Sequence, residues 1–280
     1  MHGPGILVES LSRTVPFGPS KALWQYHSRS DRHSKVACWT VAFDLLRTSG
    51  LLRRHVEEGN VVFGLNHEMR DFSTGRRKDL DLVIARPDRS RMVSKPRALV
   101  DLVDRYGVVL TTSQSAELAQ LPALLEGPVG APLMALEAKA CMTAHIKSLP
   151  RLYDELNSSH LTVHGASSRT LAVGLAMVNA SPTFISPGLN KPGSELVISE
   201  NPQPLSTVRT VAKLREIPRR SRSGEEGFDG FGIIVVSCIN DGTPVTLVET
   251  PPAPEPGDVL HYEAMVNRVA TEYDVTFGNL

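Results

Sequence analysis

Apolar positions along this chain recur first at helical spacing and then in short strand-like runs. After Ser34, which we expect to cap the N-terminus of a helix, they repeat every three to four residues as far as about Gly59, and this spacing predicts a helical unit. Two strand-like segments follow, at 60–69 and 78–87. Helical patterns at 94–107 and 113–127 then precede a third apolar strand at 131–141, and this order predicts alternating helices and strands.

The second half continues in the same way. We predict a helix at 142–160 with Thr143 as a cap and Pro150 bending or dividing it, because proline disrupts a helix interior. The nearly continuous apolar run at 169–180 predicts a strand that is covered on both faces. The remaining predictions are a long loop at 181–204, a helix at 205–217, a hairpin at 231–249 that turns at 240–242, and a final helix at 258–273.

This order of elements favours an α/β (α+β) fold in which one central mixed sheet is flanked by helices on both faces. The first thirty-odd residues are rich in Gly, Pro, Ser and Arg and are expected to form an extended arm. The predicted organisation is an arm at 1–33, a core at 34–200, and a helix-hairpin-helix extension of the same domain at 201–280.

Composition removes several classes of function. The chain has 280 residues, 41% of them hydrophobic, which suffices for a full core. It has no run of about eighteen apolar residues and no signal-peptide pattern, so we expect a cytoplasmic protein without a membrane partner. Its three cysteines are far apart and lack a CxxC pair, so neither a disulfide framework nor a zinc ribbon is indicated. Because 30 basic and 30 acidic residues cancel, there is no global attraction to nucleic acid.

Two charged residues interrupt the apolar strand at 131–141. Glu137 and Lys139 are two residues apart, so they share one face of the strand while Leu136 and Ala138 occupy the other. By the same parity, Asp79 and Asp81 in the preceding strand share a face, with Leu80 and Leu82 pointing away. If these strands are neighbours, Asp81 and Glu137 converge beside Lys139.

Such a group suits a hard divalent cation. Mg²⁺ binds carboxylate, carbonyl and water oxygens and commonly takes only one or two protein carboxylates. Asp81 and Glu137 would supply carboxylates, and the Ala138 carbonyl a third oxygen. Lys139 would orient or help to deprotonate an attacking water and would offset charge on a phosphate.

The pattern of Asp on one strand and Glu-x-Lys on a following strand, then a helix and another strand, resembles the PD-(D/E)xK nuclease superfamily, which has a restriction-endonuclease-like fold. The resemblance covers about 34–187 and makes 86–130 an insertion between neighbouring strands. It implies Mg²⁺- or Mn²⁺-dependent hydrolysis of phosphodiester bonds, typically in DNA and often by a homodimer. It implies that Asp81, Glu137 and Lys139 are catalytic. Since Asp79 follows Lys78 and Asp81 follows Leu80, the choice between the two aspartates stays open, with Asp81 preferred.

Further residues are weaker candidates. Glu68 could supply another acid, and His145 could face the scissile phosphate. Two basic segments, 76–97 and 213–223, could form a phosphate-facing surface. The predicted nucleic-acid contacts are Lys35, Arg76, Arg77, Ser167, Ser168 and Arg169.

Two other functions remain open at this point. The chain could be a non-catalytic nucleic-acid-binding or assembly protein that keeps the nuclease fold. It could also be a different hydrolase, in which the two acids act on another phosphoester. The favoured hypothesis is the nuclease, in a setting of restriction or defence that comes from the resemblance alone.

Overall fold

The computed structural model describes residues 1–91, 94–190, 193, 195–222 and 224–280. Over these residues the helices are α1 (Gly3–Ser12), α2 (Arg32–Thr48), α3 (Gly50–Glu57), α4 (Asp101–Tyr106), α5 (Thr112–Gln120), α6 (His145–Ala166), α7 (Leu205–Arg215) and α8 (Tyr262–Thr276). The strands are β1 (Val15–Phe17), β2 (Ala22–Trp24), β3 (Val62–Arg70), β4 (Arg77–Pro87), β5 (Val129–Cys141), β6 (Leu171–Asn179), β7 (Thr183–Phe184), β8 (Ser199–Glu200), β9 (Gly230–Ser237) and β10 (Thr246–Val248). Met92 and Val93 of the first basic segment, Ser223 of the second, and three residues of the predicted loop at 181–204 lie outside the described residues.

A six-stranded mixed sheet forms the centre, in the order β10-β9-β6-β5-β4-β3. Strands β3, β4 and β5 form an antiparallel meander, whereas β6 and β9 run parallel to β5. Parallel neighbours need a crossover connection, and α6 provides the one between β5 and β6. The predicted class, an α+β fold with a central mixed sheet flanked by helices, is confirmed.

Helices cover both faces of the sheet. Helices α1, α2 and α8 lie on one face, and α6 and α7 on the other. Along β5, Leu136 and Ala138 pack in the first layer, whereas Ala135 and Cys141 pack in the second. Every residue of β6 is buried, as its continuous apolar pattern predicts.

Element boundaries differ from expectation at a few positions. Helix α2 begins at Arg32, so Ser34 lies within its first turn and is not the residue that caps it. Helix α6 passes through Pro150 without ending. Thr143 is not its cap either, because the Thr143 hydroxyl donates to the side-chain oxygen of Asn201.

The N-terminal residues are more ordered than the expected extended arm. Helix α1 occupies Gly3–Ser12 and buries Ile6, Leu7 and Leu11. The carboxylate of Asp44 in α2 accepts the backbone N–H of Gly3 at 2.8 Å. An anionic group favours the positive end of a helix dipole, so a residue some forty positions away stabilises the start of α1.

The segment between β4 and β5 contains α4 and α5 and covers the outer edge of β3. The N–H of Phe63 donates to the carbonyl of Leu125, and Gly127 donates back to Phe63, each at 2.9 Å. This pairing satisfies backbone groups that an open edge strand would expose. Among the described residues, no helix is both long enough and apolar enough to cross a bilayer.

Candidate active site

Strands β4 and β5 separate at the point where the predicted acids lie. Their pairing reaches Leu82 opposite Leu136 and stops there. Asp81, the residue before Leu82 in β4, accepts a hydrogen bond from the backbone N–H of Ala138 on its Oδ2 atom, at 3.0 Å. At this fork the Asp81 carboxylate therefore takes the place of the β4 backbone as the hydrogen-bond partner of β5.

The Asp81 carboxylate is held on its other side by the first turn of α2. Its Oδ1 atom accepts from the Ser34 hydroxyl at 2.8 Å and from the Lys35 ammonium at 2.7 Å. Lys35 is only 2% exposed and also donates to the side-chain oxygen of Asn66. Burial alone would raise the pKa of Asp81, but the charge of Lys35 and the hydrogen bonds from Lys35, Ala138 and Ser34 lower it, so the carboxylate stays ionised.

This fork also breaks the side-chain alternation of β4. Leu80 and Leu82 were expected on the same face, yet Leu80 packs with the α6 layer and Leu82 with the α2 layer. The pairing with β3 is interrupted between them, where Asn66 has a φ of 48°. Asp81 points toward α2, on the side of β4 opposite Leu80 and therefore on the side that Asp79 also faces. The regular alternation thus breaks between Asp81 and Leu82.

Glu137 is buried to 2% exposure on the face of β5 that meets α6. Its Oε1 atom lies 2.7 Å from the Lys139 ammonium and 3.7 Å from that of Lys78. Its Oε2 atom has no hydrogen-bond partner among the described residues. Burial, then the negative charge of Asp81, raise the pKa of Glu137, and together they outweigh the attraction of Lys139 and Lys78.

Two aromatic rings pack over the glycine that neighbours Glu137 in the sheet. Its neighbour on β6 is Gly174, and the next residue in that row, on β9, is Phe231. A Cβ atom at Gly174 would lie 2.6 Å from the Phe231 ring and 2.9 Å from that of Phe228. The missing side chain lets these two rings pack beside the glutamate, which leaves its carboxylate in an apolar setting.

Lys139 lies between the buried carboxylate of Glu137 and an open cleft. Its side chain is 29% exposed, and its ammonium also lies 3.7 Å from Glu155 of α6. Burial would lower the pKa of Lys139, but the negative charge of Glu137 raises it. Lys139 therefore presents a positive charge to the cleft at neutral pH.

The cleft has a volume of about 510 Å³ and opens between the start of α2 and the first half of α6. Its charged lining residues are Arg29, Lys139 and Arg151, and Asp31, Asp81 and Glu155. Arg151 lies 2.6 Å from Glu155 at the rim. The α2 wall thus carries Arg29 and Asp31, the α6 wall carries Arg151 and Glu155, and Lys139 and Asp81 also line the cleft.

The fork brings together the Asp81 carboxylate and the Ala138 backbone, and both carry oxygen donors of the kind that a hard divalent cation binds. The N–H of Ala138 points to Asp81, and since the N–H and C=O of one strand residue point to the same side, its carbonyl points there too. Glu137 has an unpartnered oxygen, but its carboxylate is buried on the α6 side of β5 and is not among the residues that line the cleft. No group of three His, Cys, Asp or Glu side chains in the described part of the chain could hold a metal. A cation at the fork would therefore take few protein ligands and complete its shell with water and phosphate, as Mg²⁺ commonly does.

The weaker predicted acids and the histidine lie elsewhere. Asp79 and Glu68 are exposed and opposite each other in the β3–β4 hairpin, beyond the fork. Glu68 pairs with Arg77 at 3.4 Å. His145 is buried, and its Nε2–H donates to the carbonyl of Asn179 at 2.8 Å, so it does not face the cleft as expected.

The predicted nucleic-acid contacts divide into separate groups. Lys35 is buried against Asp81 and is not on the surface, as a phosphate contact would require. Arg76 and Arg77 are exposed at the turn of the β3–β4 hairpin. The other predicted contacts, Ser167, Ser168 and Arg169, lie between α6 and β6, at the opposite end of the sheet from Lys139.

Sequence reasoning missed part of the charge network. It did not connect Ser34 or Lys35 with Asp81, or Lys78 and Glu155 with the pair on β5. The available signal for Lys35 was its position directly before the apolar run of α2, which begins at Val36, since lysine is rarely buried without a partner. For Glu155, which lies on a helix of mixed polarity, the sequence has no such signal.

Searches against protein-family models, curated proteins and solved structures gave no match. Function must therefore be inferred from the chemistry of the cleft.

Proposed function

We propose that this protein is a Mg²⁺- or Mn²⁺-dependent nuclease that hydrolyses phosphodiester bonds in DNA. The observation that carries the proposal is the fork of β4 and β5, where the Asp81 carboxylate bonds the Ala138 backbone next to the ion pair of Glu137 and Lys139. The order α2, β3, β4, β5, α6, β6 supports it further, because it is the order that the resemblance to PD-(D/E)xK nucleases implies.

Each residue has a role that follows from its contacts. Ser34 and Lys35 fix the Asp81 carboxylate in position before any substrate binds. Asp81, Glu137 and the Ala138 carbonyl would hold the cation, which supplies a Lewis acid for a phosphate oxygen and activates water. Lys139, held 2.7 Å from Glu137 and exposed to the cleft, would offset negative charge that develops on the phosphate.

The cleft walls suit a polyanionic substrate. Arg29 precedes α2 and Arg151 lies on α6, so a nucleic-acid backbone would meet one arginine on each side of Lys139. By resemblance, we extend the proposal to an endonuclease of restriction or defence that works as a cytoplasmic homodimer.

One observation favours a second function. The ammonium of Lys35 already neutralises Asp81, and a cation would have to share that carboxylate. A protein that keeps the nuclease fold but only binds nucleic acid or assembles on it would tolerate such a permanent ion pair. We keep this function as the alternative that the test must separate.

The test compares cleavage of supercoiled plasmid, linear DNA and RNA with Mg²⁺, Mn²⁺ or EDTA. We expect metal-dependent cutting of DNA by the wild type, and discrete bands if cutting is sequence-specific. Glu137→Gln and Lys139→Met should each lower the cleavage rate by about 100-fold or more, the range for removing one preorganised charged group. Binding of Mn²⁺, followed by electron paramagnetic resonance, should weaken in Glu137→Gln.

Matched controls keep the result interpretable. Glu216→Gln and Lys147→Met change the same residue types at exposed positions outside the cleft and should cut as the wild type does. If Mn²⁺ does not bind and no nucleic acid is cut, while the wild type still binds DNA, the non-catalytic function replaces the nuclease. Cutting that survives in Glu137→Gln would remove this residue from the site.

A further inference from the structure

A second charged pocket lies at the far end of the sheet. Its volume is about 270 Å³, and Leu171 at the start of β6 forms part of its wall. Its polar lining residues are Ser168, Arg169, Arg220, Ser221, Arg222, Asp229, Arg268, Glu272 and Thr276, which we call the arginine pocket. This pocket brings together the segment around Arg169 and the second basic segment. Neither of them contributes to the cleft.

Positive charge exceeds negative charge in the arginine pocket. Four arginines line it, against the two acids Asp229 and Glu272. A third acid, Glu225, lies outside the lining and pairs with Arg222 at 2.8 Å. Asp229 is already neutralised, since it lies 2.7 Å from Arg220 and also accepts the N–H of Ala172 at 2.8 Å. Arg169 forms no ion pair with any described residue and donates to the Thr276 carbonyl at 3.0 Å. The pocket therefore keeps a net positive charge.

Backbone carbonyls hold two of the guanidinium groups in place. Arg268 donates to the carbonyls of Asp229 and Arg220, at 2.7 and 2.8 Å. Arg220, only 4% exposed, donates to the carbonyls of Ser168 and Thr170. A guanidinium has five N–H groups, and these bonds use two on Arg268 and, with the bond to Asp229, three on Arg220. Donors remain on groups that are already oriented, which lowers the entropy cost of binding an anion.

The arginine pocket is separate from the cleft. Lys139 is opposite Ala176 on β6, whereas the pocket begins at Leu171, five residues earlier on the same strand. At about 3.3 Å per residue the two sites are about 17 Å apart along the sheet. One phosphate group cannot contact both.

We propose that the arginine pocket binds a phosphate group independently of the cleft. Fixed guanidinium forks, hydroxyl side chains and surplus positive charge are the chemistry that recognises phosphate oxygens. The phosphate belongs either to a free phosphorylated molecule or to the backbone of a bound nucleic acid. The proposal does not depend on catalysis at Glu137.

The test measures two ligands in EDTA, so that no cation occupies the cleft. Pyrophosphate is titrated by calorimetry, and a fluorescent DNA duplex is titrated by anisotropy. The variant is Arg169→Ala/Arg222→Ala, which alters two exposed arginines. The control, Arg54→Ala/Arg209→Ala, removes the same charge from exposed arginines outside both sites and outside the two basic segments.

Every result decides the proposal. Pyrophosphate binding that weakens at least about 10-fold in the variant, and not in the control, establishes a site for a free phosphorylated molecule. If pyrophosphate does not bind but the variant loses at least about 10-fold in duplex affinity, with a shallower salt dependence than the control, the ligand is a nucleic-acid backbone. If variant and control are equal for both ligands, the arginine pocket is structural and the proposal is overturned.

Discussion

Two buried carboxylates on this sheet are held in opposite ways. Asp229, at the start of β9, is 6% exposed, and both of its oxygens accept hydrogen bonds, from Arg220 and from the Ala172 N–H. Glu137 is 2% exposed, and one of its oxygens has no partner in the described part of the chain. Burial is similar at the two sites, so the difference lies in how completely each charge is satisfied.

The pKa directions follow this difference. Burial would raise the pKa of Asp229, but hydrogen bonds from His164 and Arg220 lower it below its ordinary value. For Glu137 burial prevails and the pKa is raised. A satisfied buried charge ties strands together, whereas an unsatisfied one destabilises the fold and becomes useful only when a ligand completes it.

The largest effect on stability is expected at Asp229, the carboxylate whose two oxygens both accept hydrogen bonds. Asp229→Asn leaves the guanidinium of Arg220 buried without a counter-charge, which should lower the free energy of unfolding by about 3–5 kcal/mol. Urea denaturation measures this change. Asp258→Asn is the control, since Asp258 pairs with the more exposed Arg215 and should cost less than about 1 kcal/mol. Equal losses in the two variants would show that the Asp229 pair is not special.

We also expect a loss of folding stability at low pH, and its source should be His160, near Asp229. His160 is fully buried, packs edge-on against Phe228 and approaches His164. Burial, then the positive charges of His164 and Arg220, lower the pKa of His160 to about 4, although Asp229 opposes the shift. Between pH 6.5 and 4 the unfolded chain therefore binds a proton that the folded chain does not, and stability falls as pH falls.

His160→Gln removes this proton uptake. The wild type should lose about 2 kcal/mol more than the variant between pH 7 and pH 4.5, measured as the difference in unfolding free energy at each pH. Above pH 7 the difference should be constant, because the imidazole is neutral in both states. A difference that does not change with pH would mean that His160 is protonated in the folded protein as readily as in the unfolded chain.

The local pattern predicted most of the sheet but not its irregularities. Spacing of two placed Glu137 and Lys139 on one face of β5, and the structure agrees. The same rule failed for Leu80 and Leu82, because strand alternation assumes regular pairing on both sides and the pairing is interrupted at Asp81, between them. Helix α1 was missed because Asp44, far along the chain, satisfies its first N–H groups.

Long-range ion pairs could not be predicted from the sequence either, because they depend on contacts between residues far apart in the chain. Nothing near Lys35 in the chain indicates that its ammonium meets Asp81, a contact that depends on how α2 crosses β4. Likewise, the segment around Arg169 and the second basic segment were recognised separately, and only the meeting of β6 and β9 brings them together.

The apolar wall beside Glu137 offers a smaller test. In Gly174→Ala the new methyl group would overlap the rings of Phe231 and Phe228, and overpacking of this kind costs about 1–3 kcal/mol. Thermal unfolding measures the loss. Gly5→Ala is the control, because a Cβ there meets nothing within 4 Å and alanine favours the helix. If both variants are equally stable, the rings move easily and do not enforce the burial of Glu137.

The smallest change, and the one that separates the two carboxylates, is Glu137→Gln. The two partners of this ion pair respond differently. The contact with Glu137 raises the pKa of Lys139 and so stabilises its charged form, whereas burial raises the pKa of Glu137 and so destabilises its charged form. A neutral amide of the same shape should therefore raise the free energy of unfolding in EDTA by about 1 kcal/mol, opposite in sign to Asp229→Asn. Excess Mn²⁺ should stabilise the wild type and leave the variant unchanged, because a ligand that binds only the folded state raises its stability. If Glu137→Gln is instead destabilising by several kcal/mol and Mn²⁺ acts equally on both proteins, the fork holds a structural ion pair like that of Asp229, and the contrast between the two ends of the sheet disappears.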